Sequence, residues 1–143
     1  MRLKKRYLWP ALLTAAGFLS WQLGYQAALK YFFKVSGTVM ISGDLLQDLP
    51  GPNAMLFVIA KNGNGMPVAV SKIINPIFPA RFRLTPSDLI MPDLLGRNVR
   101  LEALLSRDGR LEDFKSGDMK GARPEPSYFI SKDQDITLTE LGR

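Results

Sequence analysis

The side chains that carry most metal and redox chemistry are missing from this chain, which has no cysteine and no histidine in 143 residues. A blue-copper site, the common zinc sites, a Cys-x-x-Cys-His haem attachment and a thiol redox pair each need one or both residue types, so none can be assembled. Chemistry is left to 13 carboxylates, 19 lysines and arginines, and the hydroxyls. Carboxylate pairs, a lysine or a Ser/Lys arrangement are the catalytic options that remain. No carboxylate sits in an apolar sequence context that would mark it as perturbed, and no nucleophile-elbow pattern occurs. Asp133-Gln134-Asp135 is a fragment of a calcium-loop pattern without its central Gly and distal Glu, and reads as a turn before the last strand. The methionines at 40, 55, 66, 91 and 119 are scattered in the manner of core filling. The expectation is a binding protein: no enzyme, with no catalytic residue, metal ligand or cofactor.

The elements that would present a binding surface begin with charge. The net charge is +6, yet six of the 19 basic residues lie at or before Lys34, leaving 13 Lys and Arg against 13 Asp and Glu in the rest of the chain. Those arginines alternate with carboxylates instead of clustering, which argues against a nucleic-acid partner. Arg2, Lys4, Lys5 and Arg6 precede an uncharged stretch at 7–29, and only Lys30 and Lys34 follow it. As a helix that stretch would be roughly 35 Å long, enough to cross a hydrocarbon core of about 30 Å. The predicted organisation is a basic cytoplasmic N-terminus (1–6), a transmembrane helix (7–29), a short tether (30–34) and a periplasmic domain (35–143). The heavier basic flank sets this orientation for a single-pass protein of the bacterial inner membrane. Tyr7 and Trp9 at one end and Tyr25, Tyr31, Phe32 and Phe33 at the other suit the two aromatic interface belts. The stretch is longer than a signal peptide's apolar region and lacks a clean cleavage site, so it is expected to be retained.

Ala16, Ser20, Gly24 and Ala28 recur every four residues and form one ridge of small side chains. In lipid, helices associate through close backbone packing and interhelical hydrogen bonds. The ridge supplies the first, and Gln22 and Gln26, on a different face, supply the second. The expected partners are therefore the helices of an integral membrane protein, within the lipid bilayer.

From Val35 the sequence reads as short strands punctuated by Gly, Pro and Asn-Gly signals, at 35–42, 54–62, 66–73, 80–84, 98–106, 127–131 and 135–141. About seven strands in a domain of this size predict an all-β, Ig-like sandwich. Asn62-Gly63-Asn64-Gly65 should close a hairpin, Arg107-Asp108-Gly109 should open another connection, and Thr85-Pro86-Ser87-Asp88 should cap a short helix through Met91. Two connections are more apolar than solvated loops normally are: 73–79, with Ile74, Ile77 and Phe78, and 89–95. They either plug the open ends of the sandwich or, at Ile74, Ile77 and Phe78, form an exposed patch that docks on a partner.

Several segments resemble, in order and spacing, the C-terminal domain of the cytochrome c biogenesis protein H (CycH, or CcmI) family. They are Val35-Ser36-Gly37-Thr38-Val39, Pro52-Asn53-Ala54-Met55-Leu56-Phe57-Val58-Ile59-Ala60-Lys61, Gly65-Met66-Pro67-Val68-Ala69-Val70 and Phe78-Pro79-Ala80-Arg81-Phe82-Arg83-Leu84. The strand at 99–106, the turn Ser116-Gly117-Asp118-Met119-Lys120-Gly121 and the closing Ile136-Thr137-Leu138 follow in the same order. The resemblance implies an Ig-like periplasmic β-sandwich that binds proteins during c-type cytochrome maturation, without catalysis of its own. In that family membrane helices and a tetratricopeptide array precede the domain. Here one helix leads straight into the sandwich, with no room for helical repeats of about 34 residues. Two functions are therefore expected: an accessory or stabilising subunit of a cytochrome-containing membrane redox complex, or an assembly factor of c-type cytochrome maturation. A c-type cytochrome or a cytochrome-containing complex is the partner in either.

Overall fold

The computed structural model describes residues 5–111 and 114–142, with side chains from residue 10 within the first helix. Arg2 and Lys4 of the expected cytoplasmic segment, and the side chains of Tyr7 and Trp9, lie outside the described residues. Helix α1 (Lys5–Phe32) runs past both ends of the expected 7–29 stretch. Pro10 is the sixth residue of this helix, past the first turn, so its missing N–H leaves the Arg6 carbonyl without its usual i−4 donor.

The expected tether at 30–34 is not a separate linker. Lys30, Tyr31 and Phe32 complete α1, and Lys34 opens strand β1 (Lys34–Ile41). Leu29 is 2% exposed and Phe33 fully buried, both within the main core. Their apolar side chains give the last turn of α1 a reason to stay helical and docked, since undocking would return two large side chains to water.

No helix among the described residues is long and apolar enough to cross a membrane. The transmembrane expectation therefore finds no support in hydropathy. The 28 residues of α1 give it the length, but Pro10, Trp21, Gln22, Tyr25 and Gln26 dilute its apolar character. Docking of the C-terminal turns leaves the described side chains at 10–24 exposed and clear of the domain, roughly 22 Å of helix.

Beyond α1 the chain forms two sheets. Strand β1 pairs antiparallel with β4 (Ala80–Leu84), and parallel with β8 (Ile130–Ser131) and β9 (Ile136–Leu138). The second sheet has the order β10 (Glu140–Leu141), β6 (Met119–Ala122), β5 (Asn98–Ser106), β2 (Met55–Lys61) and β3 (Pro67–Ile74), with β7 (Ser127–Tyr128) paired to β5. Alternation sets the buried faces. Ala80, Phe82 and Leu84 point into the core while Arg81 and Arg83 point out, and Leu101, Ala103 and Leu105 pair in register with Ala60, Val58 and Leu56. The sandwich core lies between these faces and is sealed at one end by Leu29 and Phe33.

Ten strands are described where about seven were expected. The segments at 127–131 and 135–141 each break and change sheet, so that β7 serves the β5 sheet and β8 the β1 sheet, and β9 and β10 divide in the same way. Met119–Ala122, read as part of a turn, is a strand. Between β8 and β9 the Gln134 N–H donates to the Ser36 carbonyl at 3.0 Å, bringing backbone against β1. At Gly37 a Cβ would lie 2.0 Å from the Gln134 carbonyl oxygen, so only glycine fits.

The expected helix through Met91 shortens to a 3-10 turn, Pro86–Asp88, with the Thr85/Asp88 capping box in place. Leu89 then bridges to Ala69, and the Ile90 N–H donates to the Val68 carbonyl at 2.8 Å. Pairing with the edge of β3 competes with the helix and takes the backbone after one turn. The Asn62–Gly65 hairpin forms as expected: the Asn62 Oδ1 accepts the Asn64 and Met66 N–H groups, each at 3.0 Å.

Candidate interaction surfaces

Three surfaces stand out, each set by a different element. The first is the free length of α1. Ala16, Ser20, Gly24 and Ala28 are all exposed along their ridge, and a Cβ at Gly24 would meet nothing within 4 Å. Ser20, Trp21, Gly24, Tyr25 and Ala28 line a shallow apolar hollow. Gln22 is exposed as well, whereas Gln26 is turned toward the domain, where its Oε1 is buried with no hydrogen-bond partner among the described residues. Leu12, Leu13, Phe18, Leu19, Trp21 and Leu23 are also exposed, so the chain leaves apolar side chains of this helix uncovered in several directions.

The orientation of α1 is held by polar contacts as well as by Leu29 and Phe33. The Arg97 Nε–H donates to the Tyr25 hydroxyl, and the guanidinium carbon lies 5.2 Å from the Tyr25 ring centroid. Lys30 Nζ meets an Asp93 carboxylate oxygen at 2.5 Å. Asp93 is largely exposed, so this pair serves orientation more than stability. Arg97 and Asp93 come from the segment between β4 and β5, far from α1 in sequence, and no local pattern marks them as its partners.

The second surface is at the other end of the sandwich. Strand β1 runs about 25 Å from the end of α1 to Ile41, and there an apolar hollow of about 500 Å³ opens. Its walls include Leu46 and Leu49, from the 3-10 turn Gly43–Asp48 and its exit, opposite Ile77 and Phe78. The two apolar-loop alternatives divide by residue. Phe78 is half-buried against the core, the placement a plug would have, while Ile74 is 60% and Ile77 86% exposed. The loop holds this shape because Asn75 takes a positive φ of 50°. The Asn75 N–H donates to the Ala54 carbonyl, and the Asn75 Oδ1 accepts the Asn53 N–H at 2.8 Å. Leu46 and Leu49 were not singled out in the sequence. Their signal was an apolar Leu-Leu-x-x-Leu run with no strand period.

The third surface is basic. Lys34, Arg83 and Lys132 line one hollow with Ser36, Ile130 and Ser131, on the outer face of the β1 sheet next to the end of α1.

The carboxylates hold loops. Asp118 is 1% exposed and accepts the Arg107 and Lys115 N–H groups, both at 2.9 Å. Asp108 is held well below the ordinary carboxylate range, first by the Lys115 ammonium and then by the Ser106 hydroxyl and the Arg110 N–H. Both tie down the connection that leaves β5. Among the described residues no group of His, Cys, Asp or Glu is placed to hold a metal ion.

An uncharacterised protein of Aquifex aeolicus (strain VF5) is 34% identical to this chain over 89 residues. That match covers 61% of the chain and 59% of the relative's own length. No solved structure matches the chain. The description "Cytochrome c-type biogenesis protein H Ig-like domain" matches residues 35–139, which takes in β1 through β9. The paired sheets, their order in the chain and this match over most of its length agree, and the chain belongs to the cytochrome c-type biogenesis protein H Ig-like domain family.

Proposed function

We propose that this chain is a non-catalytic protein-interaction module of c-type cytochrome biogenesis, attached through α1 to the inner membrane of a bacterium, with its β-domain in the periplasm. The observation that carries the reading is the apolar hollow at the end of the sandwich away from α1, where Leu46, Leu49 and Ile77 stand uncovered. Its occupant is an apolar segment of a client polypeptide in c-type cytochrome maturation. One large apolar anchor in such a site contributes on the order of 2 kcal/mol of binding. Attachment is assigned to residues 10–24. Since α1 is not apolar enough to cross unaided, its ridge of Ala16, Ser20, Gly24 and Ala28 packs against helices of a membrane partner, with Gln22 bonding across the contact.

The second reading, an accessory subunit of a cytochrome-containing membrane redox complex, is favoured by the fixed docking of α1 on the domain through Leu29, Phe33 and the Tyr25–Arg97 contact. A rigid helix-to-domain angle suits permanent assembly better than transient capture.

Pull-down from detergent-solubilised membranes, followed by mass spectrometry, tests both. Leu49→Ser with Ile77→Ser should release the client while leaving the melting temperature unchanged, because both side chains are exposed. Gly24→Leu with Ser20→Leu should release the membrane partner. Retention of every partner by both variants would refute the assignment of the surfaces. Recovery of the chain in a mature cytochrome complex would decide for the subunit, and its absence there for the assembly factor.

A further inference from the structure

We propose that Lys34, Arg83 and Lys132 form a binding site for the phosphate of an anionic phospholipid headgroup, at the end of the β-domain from which α1 emerges. The site rests on the attachment of α1 to a membrane, and adds to it a surface on the folded domain that selects the kind of lipid.

The three cations come together from three parts of the chain. Lys34 opens β1, Arg83 lies on β4 in register with Ser36, and Lys132 follows β8, whose Ile130 is in register with Lys34. All three are exposed and line the same hollow. Among the described residues none of them makes an ion pair: the pairs that form are Lys30–Asp93, Lys61–Glu102 and Lys115–Asp108. Asp133 lines the adjoining hollow with Arg81 and Arg83 but is in ion-pair contact with neither. Three like charges without a counter-ion repel one another, and a bound anion relieves that repulsion. The planar guanidinium of Arg83 matches a phosphate bidentately, and the two ammonium groups supply point charges on either side. Ser36 can add a hydroxyl. The Ser131 hydroxyl already donates to the Tyr128 carbonyl at 2.8 Å and serves only as an acceptor.

The surroundings point to a lipid rather than a soluble phosphate. Tyr31 and Phe32, in the last turn of α1, are 77% and 57% exposed, and Tyr128 and Ile130 on the neighbouring strands are 51% and 47% exposed. Aromatic rings beside a basic cluster, at the point where an apolar helix leaves a folded domain, form the combination that settles at the headgroup level.

The test is flotation of the full chain with vesicles of phosphatidylcholine alone and of phosphatidylcholine mixed with phosphatidylglycerol. The wild type should bind both and prefer the anionic vesicles. The triple variant Lys34→Gln, Arg83→Gln, Lys132→Gln should lose that preference, on the order of a hundredfold in partition coefficient, and keep its binding to neutral vesicles. A control with the same loss of charge on the other sheet, Lys72→Gln, Arg100→Gln, Lys120→Gln, should keep the preference. Equal loss in both variants, or none in either, overturns the site. Equal wild-type binding to the two vesicle types overturns the site and leaves the helix attachment standing, whereas no binding to either overturns both. If inorganic phosphate at constant ionic strength raises the melting temperature of the wild type and not of the triple variant, while vesicle type makes no difference, the ligand is a soluble phosphate and the lipid assignment is wrong.

Discussion

Replacing Leu29 by alanine should destabilise the β-domain, although Leu29 lies in the helix and not in the sandwich. The side chain is 2% exposed and belongs to the same core as Leu56, Leu84 and Leu101. Truncation removes three carbons, worth about 2.4 kcal/mol at about 0.8 kcal/mol each, and the residual cavity adds to this. The expected loss is about 3 kcal/mol. Leu23 is the internal control, since it is on the same helix but 74% exposed, and its alanine variant should fall within about 0.5 kcal/mol of the wild type. Urea denaturation of the full chain in mild detergent, followed through the β-sheet signal in far-ultraviolet circular dichroism, provides the measurement. With a slope of about 1–3 kcal/mol/M, the Leu29→Ala midpoint should fall by at least about 1 M. If the two variants unfold together at the wild-type midpoint, the last turn of α1 is not part of the domain core and the reasoning fails.

Asp118→Ala leaves two partly buried N–H groups without their acceptor and should cost about 1–3 kcal/mol, while Asp118→Asn keeps one acceptor oxygen and should cost less; thermal denaturation of the two separates the effects. Gly37→Ala should cost about 3 kcal/mol or prevent folding, because its Cβ would meet the Gln134 carbonyl oxygen and the obstacle is backbone; a midpoint like that of the wild type would disprove the close approach. Asp108 has a folded-state pKa below its ordinary 3.8, so its contribution is present above that value and is lost as pH falls through the folded-state pKa. Asp108→Asn should therefore flatten the stability profile below about pH 4 and lower stability at pH 7, and an unchanged acid limb would refute this.

How much was legible in advance depended on whether an element is specified by neighbours in sequence or by distant ones. Strands 80–84 and 98–106 were readable to the residue, because period-two alternation of apolar and charged side chains is a local signal of a sheet with one wet face. The Asn62–Gly65 hairpin and the Thr85/Asp88 capping box were legible for the same reason, since their hydrogen bonds close within four residues. The exposed ridge of α1 and the apolar character of residues 73–79 also followed from the sequence. The absence of Cys and His excluded several chemistries before any fold was known.

Tertiary structure decided the rest. Whether residues 30–34 form a tether depends on Leu29 and Phe33 meeting a core assembled from strands up to a hundred residues away, which no window of sequence displays. The breaks at Phe129 and Thr139 arise because each half-strand finds a partner in a different sheet. The termination of the helix expected through Met91 follows from the open edge of β3, which offers Leu89 and Ile90 backbone partners that the helix could not match. The interaction surfaces divide in the same way. Ile74, Ile77 and Phe78 were identifiable as unusually apolar, but only packing separates the half-buried ring of Phe78 from the exposed Ile77, and only the fold brings Leu46 and Leu49 into the hollow that Ile77 and Phe78 line. The basic site is the clearest case. Lys34, Arg83 and Lys132 lie about fifty residues apart in an otherwise balanced domain, and the pairing of β1 with β4 and β8 makes neighbours of charges that composition treats as unrelated.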